Sequence, residues 1–306
     1  MRLCINYLLS TTCIHSCTID TVGAYLYQDY PSSATPLYLT LPRNVAEACG
    51  LAPDGIYSIR KYLYGLPDSG LAYYKAYSSH LIEHGYQRSM SDPCLFIRLE
   101  GDIRTYVWCH VDDTFIVSTH KGELQRFQSV VASKFEITVN KEVTEYLGIM
   151  LTKLKDGSVK LTQPKLLSGL LLEYCEYLQR LPRAATAPQR LPSVQSPDST
   201  PMPQSEYLHL LGALIFLTKS RSDIATAVLF GTTFAAKPTV GAFQELVRCL
   251  SYLQSTSDIG LVLHVGDSSN ALTLRCYVDA SYLTHRDSKS HSGYCMSFGT
   301  QLSTIY

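Results

Sequence analysis

Apolar positions recur at two spacings along this chain, and the switches between them predict its elements. Runs rich in β-branched and aromatic residues, bounded by turn residues, predict strands at Cys17–Asp20, Leu37–Leu41, from Tyr57 onward, at Cys94–Arg98, Tyr106–Val111 and Thr114–Val117. Helical spacing takes over from Ser69 to His84, where Leu71, Tyr74, Tyr77, Ser78, Leu81 and Ile82 share a face. It returns from Gly122 to Phe135, with Leu124, Phe127, Val130, Val131 and Phe135 on one stripe. Glu145–Thr152 and Ser158–Thr162 read as strands around the turn Lys155-Asp156-Gly157, and Pro164 opens a helix reaching about Leu178. Met1–Ser10 reads as an internal helix, because Asn6 and Tyr7 interrupt the apolar run before it reaches signal-peptide length.

Six of the 14 prolines fall between Pro182 and Pro203, which predicts a linker or extended strap. Beyond it, Tyr207–Thr218 and Val240–Gln254 are predicted helices, the second burying Phe243, Leu246, Val247, Leu250 and Leu253. Leu261–His264, Ala271–Val278 and Ser292–Phe298 are predicted strands, and the middle one leads into Asp279.

With 306 residues and 46% hydrophobic content, the chain is long enough for two or three structural units. Basic and acidic residues balance at 26 each, so no global excess of positive charge advertises nucleic acid. Locally the balance shifts: residues 151–190 carry seven basic side chains against three acidic, which suits a phosphate backbone or a solvated helix face. Ten cysteines without regular spacing fit reduced thiols in the cytosol or nucleus rather than a secreted disulfide framework. Cys13, His15 and Cys17 lack the second ligand pair a structural zinc site needs. No run approaches a membrane span.

The chemistry gathers around Thr105–Ser118. Two strand-forming runs flank a bare Asp112-Asp113 pair, the layout of a hairpin with carboxylates at its tip. An Asp-rich turn is the bland alternative, since Asp tolerates turn geometry. Two adjacent like charges are nevertheless costly unless a cation sits between them, which points to a divalent ion. Asp20, at the end of a short strand, is the candidate third carboxylate; its competing role is a helix N-cap.

Taken together, these residues resemble the reverse transcriptase of copia-type long-terminal-repeat retrotransposons. Ile19-Asp-Thr-Val-Gly-Ala-Tyr-Leu26 is similar to the family's Asp-x-x-x-Ala-aromatic-Leu motif, and Lys61-Tyr-Leu-Tyr-Gly-Leu66 with Tyr73-Tyr74 to its Leu-Tyr-Gly-Leu block. Val111-Asp112-Asp113 resembles the Tyr-Val-Asp-Asp box, Tyr146-Leu147-Gly148-Ile149 the primer-gripping hairpin, and Leu161-Thr-Gln163 the Leu-Ser-Gln ahead of the thumb helix. Leu211-Gly212, Ser222-Asp-Ile224 and Leu250-Ser-Tyr252-Leu253 are similar to the connection. Val278-Asp279-Ala280, Asp287 and Ser292-Gly293-Tyr294 are similar to the start of ribonuclease H.

The resemblance implies an α+β right-hand polymerase: palm with partial fingers over 1–163, thumb helix over 164–181, Pro-rich linker over 182–205, helical connection over 206–260 and a ribonuclease H-like fragment over 261–306. It implies RNA-directed DNA polymerisation, with Asp20 and Asp112 holding Mg²⁺ or Mn²⁺ and Asp113 supporting them as catalytic carboxylates. Tyr25 takes the place of the sugar gate, Leu147 and Gly148 that of the primer grip, and Asp279 that of a ribonuclease H carboxylate. The implied partners are an RNA template, a DNA primer, deoxynucleoside triphosphates and the rest of a Gag-Pol polyprotein, in a cytoplasmic virus-like particle or the nucleus.

Departures from the family pattern bear on activity. His110 replaces the Tyr before Val-Asp-Asp, Pro67-Asp68 replaces Lys-Gln, and Leu71 replaces an Arg. A carboxylate only accepts hydrogen bonds and repels phosphate, so Asp68 has to point away from a bound nucleotide. Only 19 residues precede Asp20 and 28 run from Asp279 to the end, so a basic fingers segment and the remaining ribonuclease H carboxylates are expected to lie outside this chain. The alternative reading is a catalytically silent nucleic-acid-binding remnant, or the product of a degenerate copy.

Overall fold

Buried and exposed positions alternate along the first strand, and that alternation sets which face of the sheet carries the chemistry. In the computed structural model, residues 15–181, 199–263, 274–283, 290–298 and 303–305 are described. Strand β1 (His15–Thr21) turns Cys17, Ile19 and Thr21 inward. It is followed by β2 (Tyr38–Thr40), α1 (Arg43–Ala48), β3 (Ile56–Ser58), α2 (Ser69–Glu83), β4 (Gln87–Arg88), β5 (Leu95–Glu100), β6 (Ile103–His110), β7 (Asp113–Ser118), α3 (Lys121–Ala132) and β8 (Ile137–Asn140). Strands β4-β5-β6-β7-β1-β8 form one antiparallel sheet, while β2 and β3 pair separately.

Helices α2 and α3 cover one face of the large sheet. Tyr73, Tyr77, Leu81, Leu124 and Phe127 pack there against Cys17, Ile19, Val107, Cys109 and Ile116. The α3 stripe is buried as its spacing predicts. The α2 face differs: Leu71 and Ile82 are exposed, and Tyr73 and His80 are buried instead. These polar-tipped side chains go inside because each tip finds a partner. Tyr73 donates to Thr21 Oγ1 at 2.8 Å, the Tyr77 hydroxyl meets Thr114 Oγ1 at 2.9 Å, and His80 Nε2 lies 2.7 Å from the Val130 carbonyl.

The chain divides into two compact units, one of them Ile14–Val143 and the other containing the residues from Thr144 onward. This division falls ahead of the boundary after residue 163 expected from the sequence, and strand pairing explains it. In the second unit β9 (Glu145–Tyr146), β10 (Ile149–Lys153) and β11 (Val159–Thr162) join β12 (Leu261–Leu263) in a sheet of order β12-β11-β10-β9. Strand β12, read from the sequence as the opening of the last unit, is thus hydrogen-bonded to β11.

Between β11 and β12 run α4 (Pro164–Glu173), α5 (Cys175–Gln179), α6 (Gln204–Leu217), α7 (Ala225–Thr232) and α8 (Val240–Ser255). The single helix expected after Pro164 breaks at Tyr174, whose buried ring lies 6.1 Å from Phe243. The α8 stripe is buried as predicted, against Leu210, Leu211 and Leu214 of α6. The spacing of apolar residues does not predict helix α7; Gly231 in it lets neighbours approach, since a Cβ there would fall 2.8 Å from Leu246. Finally β13 (Leu274–Ser281), β14 (His291–Phe298) and β15 (Ser303–Ile305) form a three-stranded antiparallel sheet. The fold is α+β. The readings of Met1–Ser10, of most of the Pro-rich stretch and of Asp287 lie outside the described residues. Among the described residues no helix is long and apolar enough to cross a membrane.

Candidate active site at the end of a hairpin

The hairpin β6–β7 closes one residue earlier than its sequence predicts. His110 pairs with Asp113, so the loop is Val111-Asp112, and Asp113 is the first residue of β7 rather than half of the tip. Asp20 is the cross-strand partner of Asp113, and Thr138 of β8 pairs with Asp20 on its other side. Directly opposed residues of antiparallel strands project to the same face. His110, Asp113, Asp20 and Thr138 therefore make one row across four strands. Alternation places that row on the face opposite Ile19, Cys109 and Ile116, away from α2 and α3. The N-cap alternative for Asp20 is overturned, because it lies within β1 and Gly23 caps the short 3-10 turn Ala24–Tyr27.

Asp112 is fixed through its backbone: its carbonyl accepts the Thr21 amide at 3.1 Å, tying the loop to the end of β1. The loop stores strain. Val111 has φ of 56°, a region that β-branched residues avoid at a cost of about 1–3 kcal/mol. Electrostatically the three aspartates crowd one another. Partial burial, then the charges of Asp112 and Asp20, raise the Asp113 carboxyl above the usual carboxylate range, and His110 opposes the shift only in part.

Among the described residues, no group of three or more His, Cys, Asp or Glu side chains is arranged to hold a metal ion alone. The donors present still fit a hard divalent cation. They are carboxylate oxygens, Asp112 and Asp20 add to burial in raising the Asp113 carboxyl, and Mg²⁺ commonly takes only one or two carboxylates, completing its shell with water and substrate phosphate.

Tyr25 is half-buried in the turn Ala24–Tyr27, its ring 6.5 Å from Tyr73 in an edge contact and 4.4 Å from Tyr64. Tyr64 belongs to the Leu-Tyr-Gly-Leu block, and the sequence pattern assigns it no role. Its hydroxyl ionises with more difficulty than usual, through burial, then the charge of Asp112, then Tyr25 and Asp20, so it lies in the field of the carboxylates. Asp68 is exposed at the start of α2, and its side chain makes no capping hydrogen bond there.

The other expected site residues lie in the second unit. Leu147 and Gly148 form the two-residue loop between β9 and β10, with φ of 50° and 72°. The strand expected over Glu145–Thr152 is therefore broken by a hairpin with both loop residues left-handed, the geometry of a type I′ turn. Asp279 is exposed on β13 opposite Gly293, and its Oδ1 accepts the Ala280 amide at 2.9 Å.

With the geometry in place, comparison with known proteins defines the class. Residues 7–176 match the family described as reverse transcriptase (RNA-dependent DNA polymerase). The chain belongs to that family, and it is of the copia type. It is 29% identical over 248 residues to the retrovirus-related Pol polyprotein from transposon RE1 of Arabidopsis thaliana, covering 81% of this chain and 17% of that protein. The corresponding polyprotein from transposon RE2 of the same plant is 28% identical over 249 residues, with the same two coverages. The polyprotein from transposon TNT 1-94 of Nicotiana tabacum is 23% identical over 289 residues, 92% of this chain and 21% of that protein. The chain thus spans about one-sixth of the length of the first two relatives.

Proposed function

We propose that this chain carries the polymerase centre of an RNA-directed DNA polymerase, in which Asp20 and Asp112 hold Mg²⁺ or Mn²⁺ and Asp113 supports them. The observation that carries the reading is the pairing of Asp20 with Asp113 on the face of the sheet away from α2 and α3, next to a loop that fixes Asp112. When bound, divalent cations there supply Lewis-acid stabilisation to a phosphoryl group under attack. The chain's own residues do the rest. Asp20 presents its oxygen donors from β1 and Asp112 from the loop, which the Thr21–Asp112 backbone hydrogen bond ties to the end of that strand. The Tyr25 ring stands where it would exclude a ribose 2′-hydroxyl, giving preference for deoxynucleotides. Leu147 and Gly148 present a tight loop to the primer strand, and the basic side chains of residues 151–181 follow the phosphates of an RNA–DNA duplex.

In this reading residues 1–163 supply palm and partial fingers, 164–181 the thumb, 182–205 a linker, 206–260 the connection and 261–306 a ribonuclease H-like fragment with Asp279 as its carboxylate. The partners are template, primer and deoxynucleoside triphosphates, within a longer Gag-Pol polyprotein. The decisive experiment is primer extension on a homopolymer template with Mg²⁺. Extension that Asp112→Asn abolishes supports the assignment, and extension unaffected by Asp112→Asn overturns it.

A second reading, a nucleic-acid-binding remnant without turnover, is favoured by one observation. Asp68 and Leu71 replace the family's amide and cation, and both are exposed on α2 or at its start. Salt-sensitive duplex binding without extension would select it.

A further inference from the structure

The turn before α2 holds a second aromatic ring against Tyr25. Leu66 N–H donates to the Leu63 carbonyl at 3.3 Å, and Gly65 has φ of 99°, the positive value a type II turn requires at its third position. Ser69 Oγ donates to the same Leu63 carbonyl at 2.6 Å, so the turn is pinned to the first residue of α2. Tyr64 is thereby presented on a fixed backbone, 59% exposed, with its ring centroid 4.4 Å from that of Tyr25 and the planes inclined at 45°. The Tyr25 hydroxyl reaches over α2, 3.8 Å from where a Cβ on Gly70 would stand. Tyr25 lies in a four-residue 3-10 turn, and one side of it packs against the core that holds Tyr73 and Tyr77. The edge contact to Tyr73, at 6.5 Å, is the looser of the two.

We infer that Tyr64 is a positioning residue for nucleotide selection: its ring packs on Tyr25, holds it in one orientation, and so sets how strictly a 2′-hydroxyl is excluded. This rests on the reading of Tyr25 as the sugar gate. Tyr64 acts through ring contact and not through its hydroxyl. Loss of the ring frees Tyr25 to tilt aside, so a ribonucleotide gains affinity while a deoxynucleotide, which never met the obstruction, keeps its own. A general disturbance of the fold would weaken both together.

The test measures dATP and ATP binding by equilibrium dialysis, using the 306-residue chain with Mg²⁺ and a primer–template whose next template base pairs with adenine. Wild type is compared with Tyr25→Val, Tyr64→Ala, Tyr64→Phe and the Tyr25→Val, Tyr64→Ala pair. The expectation is that Tyr64→Ala lowers the dATP preference by about tenfold, within the range by which shape can reject one hydroxyl, through tighter ATP binding. Tyr64→Phe keeps the wild-type ratio, and the double variant is no less selective than Tyr25→Val alone, as expected for two residues acting as one unit. If Tyr25→Val lowers the preference but Tyr64→Ala leaves it intact, or if the two losses add, the role of Tyr64 is overturned while the gate stands. A wild-type chain without preference, or one unchanged by Tyr25→Val, overturns the gate and the role of Tyr64 with it.

Discussion

Asp20 and Asp113 face each other across β1 and β7, one residue from the loop that holds Asp112. Carboxylates brought this close raise one another's proton affinity, and Asp113 shows it: burial first, then its two acidic neighbours, push its carboxyl up. A folded-state value above the unfolded one means that the folded chain binds this proton more tightly. Stability therefore falls as pH rises through the window between the ordinary carboxylate value and the raised one.

Asp113→Asn should accordingly raise the melting temperature at neutral pH, with the gain shrinking as pH falls below the raised value. Thermal melts of both proteins across that window check it. A variant less stable than wild type at neutral pH would show that Asp113 makes a favourable contact outweighing the repulsion.

Metal binding should depend on Asp20 and Asp112 together. Calorimetric titration with Mn²⁺ in the presence of nucleotide is expected to show binding to wild type and none to the Asp20→Ala, Asp112→Ala double variant. Equal affinities would end the assignment of these two residues as ligands.

Leu147 occupies a left-handed position that an asparagine tolerates far better, and Asn-Gly is the preferred pair for such a loop. Leu147→Asn should therefore stabilise the fold by about 1 kcal/mol, the lower end of the strain carried by such a residue. If the loop grips the primer, the same variant binds a primer–template more weakly. Urea denaturation and a duplex-binding titration on one preparation separate the two effects.

In the second unit, Arg221 is almost wholly buried, giving two hydrogen bonds to the Asp223 carboxylate and two to Thr256, while Tyr252 donates to Asp223 at 2.7 Å. Burial works to raise the Asp223 carboxyl, but Arg221 and Tyr252 outweigh it and hold the group below its usual range. Its contribution is thus present above the ordinary carboxylate value and is lost as pH falls through the lowered one. Arg221→Ala should cost about 1–3 kcal/mol, because it removes the four hydrogen bonds of a buried guanidinium while the remaining Asp223 carboxylate is open to water. A loss below about 1 kcal/mol, the level of a surface pair, would show that water reaches the network.

How much of this was legible beforehand depended on whether a signal was local. The stripe Phe243–Leu253 follows from helical periodicity alone, and its burial in α8 matches it. Asp20, Asp112 and Asp113 could be named because each sits where a strand ends or begins, a local property. Their mutual arrangement could not, since nothing in a sequence says that β1 inserts between β7 and β8. On α2, Tyr77, Ser78 and Leu81 are buried as expected, but apolarity also points to Leu71 and Ile82, whereas burial went to Tyr73 and His80, whose polar tips are satisfied only by residues far along the chain.

By itself, then, the sequence determined the family, the order of most elements and the turn-forming glycines, and it offered the three carboxylates as candidates, all from neighbours a few positions apart. Only the tertiary structure decided that Asp113 belongs to a strand and faces Asp20, that β12 completes the sheet of β9–β11, and that Tyr64 lies on Tyr25. The physical reason is the same in each case. Strand register and ring contacts are set by which distant surfaces bury one another, and that free energy is a property of the assembled chain rather than of any short stretch of it.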